Sequence, residues 1–231
     1  MKVLEAKICK IFFLWVLEMS DKERDRLLGF NIDFIEHTLC EKARAARPDG
    51  NHYTWGHYLH QGNQTWVGLD PQTLQTPYQE IEELLHLLKP KNKSHLIDLG
   101  AGYGRLAFVL RELYPEVIFT GFEYVPERVF EGKRVFSLHG LDSEGLRVQD
   151  LTCPDFVLPV ADYYFLYDYG NVRDIRHTLK QIEKVADEKN IVLIARGKGS
   201  QSLIEHEFLW LAKMNQAKNY SLYTNCLSLI S

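Results

Sequence analysis

Hydrophobic and polar positions divide this chain into two stretches of different character. Up to about residue 93 the readable pattern is helical. Ser20 followed by Glu23 fits a capping box, in which hydroxyl and carboxylate satisfy orphan backbone donors at a helix start. Leu28, Ile32, Ile35 and Leu39 then recur at helical spacing, and Pro48-Asp49-Gly50-Asn51 is turn chemistry that should stop this helix near Arg47. Ile81, Leu84, Leu85 and Leu88 give a second amphipathic helix, ended by Lys89-Pro90. From Ser94 the pattern alternates. Short apolar strands are expected at 95–98, 117–122, 146–149, 161–167 and 190–195, with helices at 105–114, 127–138 and 172–186 between them. Segments 208–214 and 220–227 lack helix caps and read as a terminal hairpin. Alternating strand and helix implies a mostly parallel sheet covered on both faces. The expected fold is therefore α/β: a doubly wound, Rossmann-like sheet with a terminal antiparallel hairpin and a helical N-terminal extension. The division into domains falls at 1–93 and 94–231.

Composition changes this picture little. The 231 residues are 45% hydrophobic and 25% charged, ordinary for a globular chain, and the net charge of −4 gives no general basic field for nucleic acid or an anionic membrane. Four cysteines (Cys9, Cys40, Cys153 and Cys226) stand far apart with no metal-ligand spacing, which suits reduced thiols in the cytoplasm. The apolar run Ile11–Leu17 is too short to span a bilayer. Glu5, Glu18 and the lack of a cleavage site argue for a buried helix over a signal peptide, with export lacking a cleavable signal as the alternative. Aromatic residues concentrate between 51 and 78, where no period runs, and read as a lid or as packing of the N-terminal part on the sheet. His52, His57 and His60 in that stretch match no metal-ligand pattern, and no metal is expected.

The chemistry concentrates after the first strand, in Asp98-Leu99-Gly100-Ala101-Gly102-Tyr103-Gly104. Glycines at a strand-to-helix turn let the backbone bend tightly and approach a ligand where a Cβ would collide. Dinucleotide-binding loops read G-x-G-x-x-G; here the place of that third glycine is held by Arg105. Asp98 also suits a cationic ligand better than a phosphate. At the end of the second strand, about 20 residues beyond the loop, Glu123 is placed to accept both hydroxyls of a ribose.

An acid, one residue, then G-x-G-x-G resembles the glycine-rich motif of class I methyltransferases that use S-adenosylmethionine. Asp98, Gly100, Gly102, Tyr103 and Gly104 stand in that motif, and Glu123 and Gln149-Asp150-Leu151 follow at later strand ends. The resemblance covers residues 94–231 and implies S-adenosylmethionine as cosubstrate and S-adenosylhomocysteine as product. It assigns the methionine end to Asp98 and the loop and the ribose to Glu123. The adenine amino group falls to Asp150, and an adenine ring nitrogen to the backbone N–H of Leu151. Tyr124 would lie on the adenine face or belong to the core, and a loop acid such as Asp150 also serves as a cap. Thr76-Pro77 before an acidic amphipathic helix is similar to a group of protein lysine methyltransferases. That group includes the enzyme acting on the mitochondrial ATP synthase c subunit and is distantly related to the non-SET histone lysine enzymes. It places Thr76 near the methionine end, although proline at a helix start is also ordinary capping chemistry.

Leu166-Tyr167-Asp168-Tyr169-Gly170 departs from the acceptor motifs of known N-methyltransferases, and leaves the acceptor open between a protein lysine and a small molecule. Asp168 at the fourth strand's end would touch the cosubstrate and orient an amine or take its proton, with Tyr169 (or Tyr167) at the acceptor. The alternative role for Asp168 is to cap the next helix. Aminopropyl transfer is disfavoured by the lack of paired acids for a polyamine. A non-catalytic binding module is the alternative from another class. Sequence gives no oligomeric state.

Overall fold

The structure, a computed structural model, describes residues 19–45, 66–226 and 228. The expectations for Ile11–Leu17, for Tyr53 to the residue before Trp66, and for His52, His57 and His60 lie outside those residues.

The described chain runs α1 (Asp21–Leu28), α2 (Ile32–Ala45), α3 (Pro71–Leu74), α4 (Tyr78–Leu88), β1 (His95–Leu99), α5 (Arg105–Leu113), β2 (Ile118–Glu123) and α6 (Pro126–Leu138). It continues with β3 (Leu146–Val148), β4 (Tyr163–Tyr167), α7 (Val172–Ala186), β5 (Val192–Arg196), α8 (Lys198–Glu207), β6 (Ala212–Gln216) and β7 (Tyr220–Thr224). The strands form one sheet in the order β3-β2-β1-β4-β5-β7-β6. β1 to β5 are parallel, and β7 runs antiparallel to both β5 and β6. This is the doubly wound, Rossmann-like sheet with a terminal antiparallel hairpin that the alternation predicts, preceded by helices.

Strand residues alternate between two cores, as a period of two requires. Leu96, Phe165 and Ile194 pack with Ile81 and Leu84 of α4 and Leu106 and Val109 of α5. Ile97, Leu166 and Leu193 face the other way, toward Leu179 and Ile182 of α7 and Leu203 of α8. Asp98 lies between Ile97 and Leu99, so the same alternation sends its carboxyl to the α4–α5 side. The strand order reverses between β1 and β4, and ligands of such sheets bind in the crevice opened by that reversal.

Two elements depart from the sequence reading. The helix expected from Ser20 to Arg47 is two helices. The capping box is present, but Gly29 ends α1 at φ +90°, and the Phe30 N–H reaches back to the Asp25 carbonyl in the manner of a Schellman turn. The break delivers Phe30 and Ile32 into a cluster with Tyr103, Phe108 and Phe136. The second departure is α8. The sequence pattern gives no helix between the strand at 190–195 and the terminal hairpin, and that hairpin begins at Ala212 instead of Phe208. α8 carries no side-chain cap of its own, and its first N–H groups are met by Asp168, distant in sequence.

Helix α6 crosses the turn after β1 at Gly132. A Cβ there would lie 2.4 Å from the Leu146 Cδ2 and 2.8 Å from the Tyr103 carbonyl oxygen. Gly132→Ala is expected to destabilise the protein by about 1–3 kcal/mol, the usual cost of overpacking. At roughly 2–4 °C per kcal/mol for a chain of this size, calorimetry should register a clear drop in Tm.

Candidate functional site

The loop after β1 is stapled to β2, because the Gly100 and Ala101 N–H groups both donate to the Phe122 carbonyl at 2.9 Å. Its glycines differ in purpose. At Gly100 (φ +89°) a Cβ would stand 2.5 Å from the Cβ of Tyr169, so the loop after β4 rests directly on this backbone. At Gly102 (φ +55°) a Cβ would meet nothing within 4 Å. Bare backbone there faces open space, the condition for a ligand to approach closely. Gly104 provides the turn into α5.

Two adjoining cavities occupy the crevice, of about 230 Å³ and about 30 Å³, and both are lined by Gly100, Gly102 and Tyr167. Asp98 and Thr76 line the smaller; Glu123, Tyr103, Asp168 and Tyr169 line the larger. Tyr124, Asp150 and Leu151 line neither. Asp150 Oδ1 accepts from the Thr152 N–H and hydroxyl at 2.8 and 2.7 Å, the local turn role of a loop acid. Leu151 is buried in the α7-side core, and Tyr124 is half-buried.

Asp98 is the unusual group. The residue is 5% exposed where it lines the small cavity, and among the described residues no hydrogen-bond donor or cation acts on its carboxyl. Burial, reinforced by the charge of Glu123, pushes its pKa up to about 8. Arg105 lines the same small cavity, yet its guanidinium is forked on Asp25 and also donates to Gln72 Oε1 (2.7 Å) and the Thr76 carbonyl (3.3 Å). A buried acid left in this state fits a cationic ligand group, whose arrival would restore the carboxylate.

Glu123 is satisfied on both oxygens by backbone: the Gly102 N–H donates to Oε2 at 3.0 Å and the Val125 N–H to Oε1 at 2.9 Å. Each oxygen retains a lone pair for a hydroxyl donor. Arg128 approaches Glu123 to 3.7 Å but is forked on Glu36, at 2.8 and 3.1 Å. The Tyr103 hydroxyl also donates to Glu36, at 2.9 Å. Sequence reasoning did not single out Glu36 or Arg128. The available signal was an acid on the apolar face of α2, one turn after Ile32.

Asp168 lines the larger cavity while its oxygens accept from the Gly199 and Ser200 N–H groups, at 3.0 and 2.8 Å. It does cap a helix, though not the next one: α7 is capped by Asn171. The Tyr169 hydroxyl points away from the crevice, donating to the Asp174 carbonyl and meeting the Thr178 hydroxyl at 2.6 Å, and burial raises its pKa. Tyr167 bonds the Thr73 carbonyl at 3.2 Å, with Arg196 stacked 4.1 Å from its ring. Among the described residues no cluster of three potential metal ligands occurs, and no helix is long and apolar enough to cross a membrane.

No protein-family model and no curated protein matches the chain. Solved structures similar to it include an S-adenosylmethionine-dependent methyltransferase from Aquifex aeolicus. That structure has 13% identity and a TM-score of 0.49, over 68% of this chain and 100% of that one. A precorrin-6y C5,15-methyltransferase from Geobacter metallireducens has 16% identity and a TM-score of 0.47, over 68% and 91%. The PH0226 protein of Pyrococcus horikoshii has 14% identity and a TM-score of 0.47, over 65% and 92%.

The raised pKa of Asp98 has a measurable sign. Between the ordinary aspartate value of 3.8 and about 8 the folded state holds a proton that the unfolded chain releases, so stability should fall as pH rises through that window. Asp98→Asn removes the titration. The ligand-free variant should melt several degrees above wild type at pH 8, from relief of about 1–3 kcal/mol, with the gap closing toward pH 5. Thermal melts across that range provide the check.

Proposed function

We propose that this chain is a methyltransferase using S-adenosylmethionine, with the α/β part from residue 94 holding the cosubstrate and residues 1–93 covering it. The observation that carries the reading is the buried, unpartnered carboxylate of Asp98 beside the bare backbone of Gly102. A dinucleotide phosphate would bring negative charge against the very group that already resists ionising, whereas a ligand with an ammonium and a sulfonium supplies the missing cation. Bound in this crevice, the cosubstrate provides a methyl carbon activated for in-line displacement.

The protein's part is orientation, dryness and control of charge. Asp98 and the Gly100–Gly104 backbone hold the methionine end, with Thr76 nearby, and Glu123 accepts the ribose hydroxyls. Tyr124, Asp150 and Leu151 are assigned to the adenine side by the motif alone. Asp168, fixed as a cap on α8, presents a carboxylate to an incoming amine and holds it in place. Tyr169 acts through its body, which seats the post-β4 loop on Gly100, and Tyr167 forms the wall opposite. The acceptor we favour is an amine, in particular a protein lysine. With Asp98 and Glu123 assigned to the cosubstrate and Glu36 paired with Arg128, Asp168 is the lining acid left to face an acceptor, which suits a cationic one. A small-molecule N- or O-acceptor is the second reading, supported by apolar walls at Leu69 and Leu74. We place the protein in the cytoplasm, where the thiols of Cys153 and Cys226 would persist.

Calorimetric titration with S-adenosylhomocysteine is the direct test. Wild type should bind, and Asp98→Ala and Glu123→Ala should each weaken binding by about tenfold or more, as lost charge-assisted contacts do. Unchanged binding in both variants would sink the site assignment. Titration at pH 7 in buffers of different ionisation enthalpy should also register proton release as Asp98 ionises, with affinity rising up to about pH 8. Release of S-adenosylhomocysteine from S-adenosylmethionine with acceptors from lysate separates an enzyme from a binding module. Radiolabelled transfer, resolved into protein and small-molecule fractions, then identifies the acceptor class.

A further inference from the structure

Arg128 stands between two carboxylates and divides itself unequally. Its Nε and Nη2 are spent on Glu36, at 2.8 and 3.1 Å, and Nη2 also reaches the Trp66 carbonyl. Only Nη1 faces Glu123, at 3.7 Å, beyond hydrogen-bond length. All three side chains are buried, so the choice of partner is a choice between low-dielectric ion pairs. A guanidinium closing as a fork on Glu123 would occupy the lone pairs that remain beside the Gly102 and Val125 N–H groups. Glu36 prevents this. Its fork holds Arg128 away, and the same carboxylate accepts from Tyr103, the residue after Gly102. Glu36, Arg128, Glu123 and the Gly102–Tyr103 backbone thus form a closed circuit, in which a side chain from α2 fixes the state of the acid at the end of β2.

We infer that Glu36 is a positioning residue for the cosubstrate ribose: by retaining Arg128 it keeps Glu123 free to accept the ribose hydroxyls, and so couples α2 to cosubstrate binding. This rests on the methyltransferase reading of the crevice. Coupling of this kind is reciprocal, so a bound ribose diol should in turn favour the α2-docked arrangement.

Removing the Glu36 charge frees Arg128 for Glu123. Glu36→Gln should therefore weaken S-adenosylhomocysteine binding about tenfold or more, while binding of its 2′-deoxyribose analogue, which has less to lose at Glu123, changes by less than about threefold. Adding Arg128→Gln to Glu36→Gln removes the competitor and should recover most of the lost affinity. Glu36→Asp, which keeps the charge with a shorter reach, should fall between wild type and Glu36→Gln, and supplies the measurement if Glu36→Gln does not fold. A merely structural Glu36 would lower affinity for both ligands alike and would leave the double variant no better than the single, and either result overturns the inference. Undiminished binding by Glu36→Gln overturns it too, with the cosubstrate reading intact. Failure of wild type to bind S-adenosylhomocysteine at all removes that reading, and the inference with it.

Discussion

Buried arginine–carboxylate forks set the position of the glycine loop, and much of the structure depends on them. Arg105 follows the loop directly and is gripped by Asp25 of α1; Arg128 lies across from its middle and is gripped by Glu36 of α2. Breaking either pair would leave a charge stranded in the interior, a cost of several kcal/mol that opposes any shift of the N-terminal helices. Tyr78 adds to the first fork by donating to Asp25 at 2.9 Å, and Asp21 takes the Tyr78 N–H at the start of α4. That last contact does the work that Pro77, with no side-chain hydrogen bond, does not do as a cap. The α1 segment therefore both starts its own helix with the Ser20 capping box and caps the N-terminus of another far along the chain.

With the loop fixed, the crevice inherits its electrostatics from strand geometry. The period-two alternation of β1 places Asp98 on the apolar α4–α5 side, where Phe165 is its neighbour on β4. A carboxyl in that position cannot be hydrated well and has no arginine to spare, since both nearby guanidiniums are committed elsewhere. Glu123 accepts hydrogen bonds from two backbone N–H groups, whereas burial beside that acid pushes the Asp98 carboxyl up. The two acids at neighbouring strand ends therefore differ in what they offer a ligand although both are deeply buried. One is poised to accept hydrogen bonds and the other to respond to a cation.

What the sequence made legible was local or periodic. The alternation of strands and helices, the Ser20–Glu23 capping box, the extent of α7 from Val172 to Ala186, and the placing of Asp98, Gly102 and Glu123 around one crevice all follow from short-range pattern. What it hid was long-range. Helix α8 has no N-terminal signal of its own because Asp168, on another strand's exit, supplies it. The Gly29 break is invisible in the apolar spacing, since Leu28 and Ile32 keep a helical interval across it. Glu36 and Arg128 resemble surface charges until the fold buries them together. The Tyr169 hydroxyl, expected at the acceptor, is claimed by Asp174 and Thr178 of α7, a demand that arises only once that helix packs behind the loop.

The hairpin at the far side of the sheet inverts the order of synthesis. β6 precedes β7 in the chain, yet β7 lies inside it, pairing with β5 along Val192–Arg196. Residues 212–216 pair only with β7, so they have no edge to join until it is in place. Without residues 220–224, Leu193, Ile194 and Ala195 would lie on an unpaired edge strand, the kind that invites association with other chains. Completion of the α/β layer thus waits on Tyr220–Thr224, an interior strand delivered after its own outer neighbour.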